Sequence, residues 1–541
     1  MKTRRYLHGL LLAAFALSPF GTALADSALA GRIQNRDREA ALALIEDGAD
    51  VNAAQPDGTT PLHWAVYNVD VPLVEALLAH GADASAMNDY GSSPLAEAVK
   101  VADAGLVERL LAAGADAEAT NRDGQTALML AARAGSLEIA QRLVEHGANV
   151  DAREAWRGQT ALMWAADGRF GPLTRFLVEH GADVDARAVV NDWGTQITSE
   201  PRAQYRPTGG LTPLLFAARS GCADCIDAIL AGGADVDRPT PDGVTPLMLA
   251  IDNFEFDAAS RLLDAGANPH YADWWGRTAL YLAVDMNTYI PRTVLGGLGG
   301  EDTVPGGTLS SKTSAMDIIE RLLAAGVEVD TQLNMHRVGR GGNSQRFTDD
   351  LLTTGATPLL RAAITHDHES MRLLLQHGAE VDLPNVMGVT PLMAAAGIGV
   401  RDINFGSNRS PRFDSDPLIE DRVIESLKIL LDAGADINAR VTDLHSRTAR
   451  IARINQMTDR EGQTALFSAA GRGWTRVIEF MLEHGADAGV ADALGKTPLD
   501  AALGKLSRGG EAHDAAAELL GRASGGPHRA AETPGENDAR N

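Results

Sequence analysis

The chain has 541 residues, 45% apolar and 22% charged, the composition of a folded protein rather than a disordered one. Its formal charge of −24 at pH 7 repels nucleic acid and anionic membranes and excludes the broad basic footprint of a DNA- or RNA-binding protein. Aromatic residues are only 5% while glycines number 55, which suits thin stacked helical layers better than one thick core.

Residues 1–25 read as an export signal. Lys2, Arg4 and Arg5 make a positive start, Leu10 to Leu17 is an apolar stretch too short to anchor in a bilayer, and Ala23-Leu24-Ala25 is a small-residue cleavage site. Loss of those three cations takes the charge from −24 to −27 for a mature chain starting at Asp26, expected in the periplasm or secreted. No later stretch is long and apolar enough to be a membrane helix, so no stable membrane insertion is expected.

From there the chain repeats. A Gly-Ala-Asp tripeptide or a close variant begins at Gly48, Gly81, Gly114, Gly147 and Gly181, then at Gly233, Gly266, Gly326, Gly378, Gly434 and Gly485. The base spacing is 33, and the longer intervals are that spacing plus insertions. In the stretch Asp57 to Ala86, Asp57-Gly58 predicts a tight turn. Thr60 predicts a helix cap and Pro61 a first helical position, where a missing N–H costs nothing. Leu73, Val74, Leu77 and Leu78 predict the apolar face of a second helix, and Gly81 its end.

Thr60-Pro61-Leu62-His63-Trp64-Ala65 recurs in variant form from Thr126, Thr160, Thr212, Thr245, Thr278, Thr357, Thr390, Thr464 and Thr497, with a weaker copy at Ser93. At these residues the chain resembles the ankyrin-repeat family, over about 26–523, and more loosely exported bacterial members of it, some of them associated with stress defence. The resemblance implies a mostly α solenoid of stacked helix-turn-helix units joined by β-hairpin fingers, and a protein partner.

Neighbouring repeats must supply one another's core, so the ends must be modified. The order expected is an N-terminal capping repeat at 26–56, regular repeats at 57–187, repeats with long insertions at 188–494, a C-terminal capping repeat at 495–523, and a disordered tail at 524–541. Insertions at 188–208, 333–354 and 441–458 precede a first-helix motif and so extend fingers. Those at 288–313 and 399–419 fall between paired helices.

Candidate partner-binding residues are those that interfaces favour at finger tips: Tyr90, Arg122, Trp156, Arg157, Trp274 and Trp275. The inserted stretch around Ser446 adds Arg447, Arg450 and Arg453 at every third position, guanidinium groups suited to an acidic partner or to the chain's own carboxylates. Each exposed aromatic has the alternative of packing on the neighbouring finger. Trp64 and Trp164, within first helices, read as core or groove-lining residues.

Chemistry is sparse. Cys222 and Cys225 start a second helix at a spacing compatible with a disulfide, with reduced core residues and a thiol-redox pair as the other readings. One C-x-x-C supplies only two of the four ligands of zinc. His80, His146, His180, His377 and His484 precede the repeat glycine, where they can bond the last carbonyls of a helix. His366-Asp367-His368 reads as a solvated turn. No nucleophile elbow, phosphate loop or zinc-protease motif occurs, so no cofactor, no metal and no enzymatic activity are expected. The reading is an exported, non-catalytic scaffold for a protein partner. A redox or stress-defence factor using Cys222 and Cys225, or a carbohydrate- or small-ligand-binding protein using exposed tryptophans, are the alternatives.

Overall fold

In a computed structural model the described residues are 28–191, 208–287, 311–334, 354–398, 418–442, 460–506 and 511–525. The export signal, most of each insertion including Arg447, Arg450 and Arg453, and all but two residues of the tail lie outside them. The chain forms two compact units, residues 1–189 with 227–233 and residues 190–226 with 234–541.

The first unit is a stack of helix pairs: α1 (Ala28–Gln34) with α2 (Arg38–Glu46), α3 (Pro61–Tyr67) with α4 (Val71–Ala79), α5 (Pro94–Lys100) with α6 (Ala104–Ala112), α7 (Ala127–Ala134) with α8 (Leu137–Glu145), and α9 (Ala161–Asp167) with α10 (Gly171–Glu179). First helices pack on first helices in chain order. The first helices α3, α5, α7 and α9 share a Thr or Ser cap. The Ser93 hydroxyl accepts the Ala96 N–H at 3.1 Å, satisfying one of the donors a helix start leaves open, and Pro94 occupies the turn that needs no donor. Leu62, Leu95, Leu128 and Leu162, two residues after each cap, are fully buried, as are Ala65, Ala98, Ala131 and Ala165 five residues after it. Small side chains there let successive layers approach closely, which is why the core is rich in alanine and poor in aromatics.

The second unit opens with the short antiparallel pair β1 (Val190–Asn191) and β2 (Thr208–Gly209), in register Val190 with Gly209. The helix pairs continue with α11 (Pro213–Ser220), α12 (Ala223–Ala231), α13 (Pro246–Asp252), α14 (Phe256–Asp264), α15 (Ala279–Asn287) and α16 (Ala315–Ala324). They end with α17 (Pro358–Ile364), α18 (His368–Gln376), α19 (Pro391–Ala395), α20 (Ile419–Asp432), α21 (Ala465–Gly471), α22 (Thr475–Glu483), α23 (Pro498–Ala502) and α24 (Asp514–Ala523). The N-terminal stretch lacks the Thr-Pro-Leu start yet forms a complete pair, with Asp37 capping α2.

The flanks of the finger insertions are drawn together. Val190 pairs with Gly209, the Gly355 N–H donates to Leu333 O at 2.7 Å, and the Gly462 N–H donates to Val441 O at 2.8 Å. The described ends of each of these insertions therefore lie side by side. The expected fingers are present as short, hairpin-like turns. Among the described residues the only paired strands are β1 and β2, with one further bridge between Ala272 and Thr278. The regular fingers are too short for a ladder and are tight turns instead, as where the Asn121 N–H meets Gln125 O at 3.0 Å.

Candidate partner-binding surface

Within each unit hydrogen bonds at two places tie neighbouring repeats together. The first is at the turn after the second helix. Asn52, four residues past Gly48, accepts the Asp83 N–H at 2.7 Å and donates to Gly81 O at 3.0 Å. Ser85 likewise accepts the Asp116 N–H, Glu118 the Asn149 N–H, and Asp151 the Asp183 N–H, each at 2.8–2.9 Å. In the second unit Asp237, Asp382 and Asn438 accept from Asn268, Asp436 and Asp487, each at 2.9 Å. Four of these acceptors are acidic, and they fasten repeats together rather than facing a partner. Burial pushes the Asp237 carboxyl up, against the pull of the Asn268 N–H that it accepts.

The second register is at the fingers. The Asp89 N–H donates to Asp57 O and the Ala155 N–H to Asp123 O, both at 2.8 Å, and the Val189 N–H donates to Arg157 O at 2.6 Å. The glycine of each finger is required twice over. Gly124 has φ +74°, and a Cβ there would stand 2.9 Å from the Ala155 nitrogen of the next finger.

On this ridge the predicted side chains of the first unit are displayed. Tyr90 is 70% exposed and Trp156 is 74% exposed, and Arg122 and Arg157 are exposed. Trp156 is held in place: its indole N–H donates to Asp123 Oδ1 of the preceding finger at 3.1 Å. Its finger spans Glu154 to Gln159, one residue wider than Asn121 to Gln125, which accounts for the single 34-residue spacing in this half of the chain. Glu154 replaces the usual Asp or Asn because the wider turn needs a longer reach. Its buried carboxylate accepts the Trp156, Arg157 and Gln159 N–H groups at 2.7, 2.7 and 3.1 Å. The extra residue places Trp156 and Arg157 at the tip.

In the second unit the Trp274-Trp275 pair divides. Trp274 is 42% exposed, its N–H donating to Asp242 O at 2.9 Å. Trp275 is only 7% exposed, with the Arg277 guanidinium 4.8 Å from its ring centroid and its carbonyl accepting the Asn334 N–H at 2.8 Å. The expectation that both tryptophans face a partner is therefore corrected for Trp275, which packs inside its own unit. Arg277 in turn bonds the enclosed Asp273 carboxylate at 2.6 Å.

The first-helix face of the first unit adds residues that were read only as core or groove. Trp64 donates to Gln55 Oε1 at 3.0 Å, and its ring meets the exposed Tyr67 edge-on at 5.7 Å. Trp164 donates to Gln159 Oε1 at 2.8 Å beneath the Arg133 guanidinium, 5.7 Å from the ring centroid. Tyr67 was missed, although its place one turn beyond Trp64 on an exposed helix end was a usable signal.

Cys222 and Cys225 form a disulfide at the start of α12. Both are buried, and the Cys225 N–H points at Cys222 Sγ at 3.2 Å, where a cap would stand. A thiol-exchange role has no exposed sulfur to act through. His366 is buried against Ser426, with Nδ1 at 3.0 Å from the hydroxyl, so the expected solvated turn is corrected to a packed one. Of the histidines before the repeat glycines, His80, His180 and His484 bond the carbonyl four residues back at 2.7–2.8 Å, while His146 Nε2 lies 3.3 Å from Glu108 Oε1. Among the described residues no cluster of histidine, cysteine and carboxylate side chains could hold a metal, and no helix is long and apolar enough to cross a membrane.

Comparison with family patterns agrees with this architecture. The family pattern described as "Ankyrin repeats (3 copies)" matches residues 29–103, 95–188, 196–273, 214–292 and 424–524, and that described as "Ankyrin repeat" matches 354–386. Among solved structures the chain is similar to the ankyrin repeat domain of Bcl-3, a member of the IkappaB protein family. The identity is 26%, over 42% of this chain and 94% of that one, with a TM-score of 0.36. No curated protein matches the chain. With matched segments spread across most of its length, the chain belongs to the ankyrin-repeat family.

Proposed function

We propose that the protein is an exported, non-catalytic scaffold that binds a protein partner in the cell envelope. Ankyrin repeats generally mediate protein–protein interaction. The observation that carries the reading here is Trp156, 74% exposed yet fixed by Asp123 at the tip of a finger widened by one residue. An isolated scaffold gains nothing by holding a large ring in water, whereas interfaces concentrate their energy in pre-placed Trp, Tyr and Arg side chains. Export is supported by the charged and apolar pattern of residues 1–25, and the Cys222–Cys225 disulfide suits an oxidising compartment.

The test is affinity capture from the host's envelope extract with the mature chain. A discrete protein recovered in near-stoichiometric yield, and absent when the bait is thermally unfolded, is the expected result. A folded bait that recovers nothing above background contradicts the reading.

A further inference from the structure

The finger ridge of the first unit is electrically polar in a way the whole-chain charge hides. Asp57 and Asp89 lie at one end, and Arg122, Arg157 and Arg153 toward the other. Two carboxylates near the basic end, Glu154 and Asp123, are bonded to neutral donors and keep their charge, so the three arginines outnumber them by one. Glu154 is buried and accepts three backbone N–H groups of its own turn, and Asp123 accepts the Trp156 indole N–H. Arg153 spends its guanidinium on the carbonyl oxygens of Gly158 and Arg187, at 3.4 and 2.6 Å, so its charge is not neutralised there. Among the described residues Arg122 and Arg157 are in no ion pair. Between their two fingers lies the exposed Trp156 ring.

We infer that this end of the ridge, Arg122–Trp156–Arg157, docks a short acidic segment of the partner protein: an extended stretch carrying carboxylates on either side of an apolar or aromatic residue. The apolar side chain covers the Trp156 ring, and the flanking carboxylates take the planar, two-pronged donors of Arg122 and Arg157. The remainder of the chain limits the choice. With −24 overall, a long polyanion such as nucleic acid is repelled before it can engage two arginines, whereas a short acidic segment can reach them. The inference rests on the protein-binding reading above and specifies its chemistry.

The test presents the labelled mature chain to an array of random peptides of roughly a dozen residues, the span of a typical recognition motif. Trp156→Ala, Arg122→Glu/Arg157→Glu and Arg142→Glu chains run in parallel. Trp156, Arg122 and Arg157 are exposed and Arg142 is half-buried, and unchanged circular dichroism and melting temperature establish that each variant is folded. The expected result is a bound set enriched in peptides with Asp or Glu flanking an apolar residue. Signal should fall about tenfold or more with Trp156→Ala, preference should move toward basic peptides with the double reversal, and Arg142→Glu on the opposite side should leave both unchanged. A bound set with no acidic enrichment, or an acidic enrichment that survives the double reversal, overturns the inference. If a partner captured from the envelope is retained equally by the double-reversal chain, the protein-binding reading stands and this site does not. If nothing is captured and no peptide binds, both fall.

Discussion

Arg361 of α17 and Asp285 of α15 form an ion pair inside the second unit, Nε to Oδ1 at 2.7 Å, with the guanidinium and carboxylate side chains 1% and 0% exposed. Both stand on first helices, where the equivalent residues of the first unit are largely apolar or at the surface. Taking two charges out of water is costly, and their mutual neutralisation offsets much of that cost.

Removing one partner should therefore be worse than removing both. Arg361→Met alone is expected to destabilise the second unit by about 3–5 kcal/mol, because Asp285 is left charged and enclosed. Arg361→Met with Asp285→Leu should recover much of that loss. Urea unfolding of the two variants side by side checks it, and equal loss in both would show that the pair contributes more than mutual neutralisation.

The turn register is the second target. Asn52→Ala deletes one acceptor for the Asp83 N–H and one donor to Gly81 O, and leaves two backbone groups unpaired between repeats. These groups are exposed and water can replace the lost partners, so a cost of about 0.5–1.5 kcal/mol is expected. Asn52→Asp keeps the acceptor and should cost less. Hydrogen exchange at Asp83 reads the effect locally: protection should fall in the alanine variant and survive in the aspartate one.

His63 gives a pH dependence. It is buried, its Nδ1 lies 2.8 Å from the Thr60 hydroxyl and accepts the Thr60 N–H, and its Nε2 faces Ser92 O at 2.9 Å. Burial lowers its pKa below the ordinary value, against the raising pull of Ser92 O, Glu97 and Asp57. The unfolded chain then takes up a proton at a higher pH than the folded one. The stabilisation by neutral His63 is full above about pH 6.5 and is lost as pH falls toward the folded-state pKa. The urea midpoint of the native chain should exceed that of His63→Gln by more at pH 7.5 than at pH 5, both set on either side of roughly 6.5. A gap that does not narrow in acid would contradict the assignment.

The finger glycines should be intolerant of any side chain. Gly124→Ala meets both a positive φ and the Ala155 backbone at 2.9 Å, so either the turn or the next finger must move. The expected outcome is a loss of about 1–3 kcal/mol in stability, and weaker partner capture because the Trp156 finger is displaced. Gly147→Ala also has a positive φ, +89°, but meets nothing within 4 Å, so it should cost strain alone and leave capture intact.

Much of this architecture is readable in the sequence because each repeat uses local rules: Thr or Ser at a cap, Pro at the first helical position, Gly where the backbone turns left-handed. The same locality exposed the Cys222–Cys225 spacing and the places where insertions leave the stack. Three-dimensional facts were not readable. Trp274 and Trp275 are neighbours in sequence, but consecutive residues in an extended turn face opposite ways, and only the inward one finds Arg277 to cover it. Asp285 and Arg361 are 76 residues apart and separated by an insertion, so no spacing rule joins them. Asn52, Glu118 and Asp151 read as turn formers, and their second task, accepting an N–H from the following repeat, becomes visible only when repeats are stacked. For the candidate site, residue type identified Tyr90, Arg122, Trp156 and Arg157. Which of their charges are already neutralised is a matter of the fold.

The most direct measurement is photocrosslinking in the native host, with benzoylphenylalanine placed in turn at Trp156 and at Glu145, exposed on the second-helix side of the same unit. The account predicts a discrete protein adduct from position 156 and none from position 145. An adduct from 145 with none from 156 would place the partner on the opposite face and contradict the finger ridge as the binding surface.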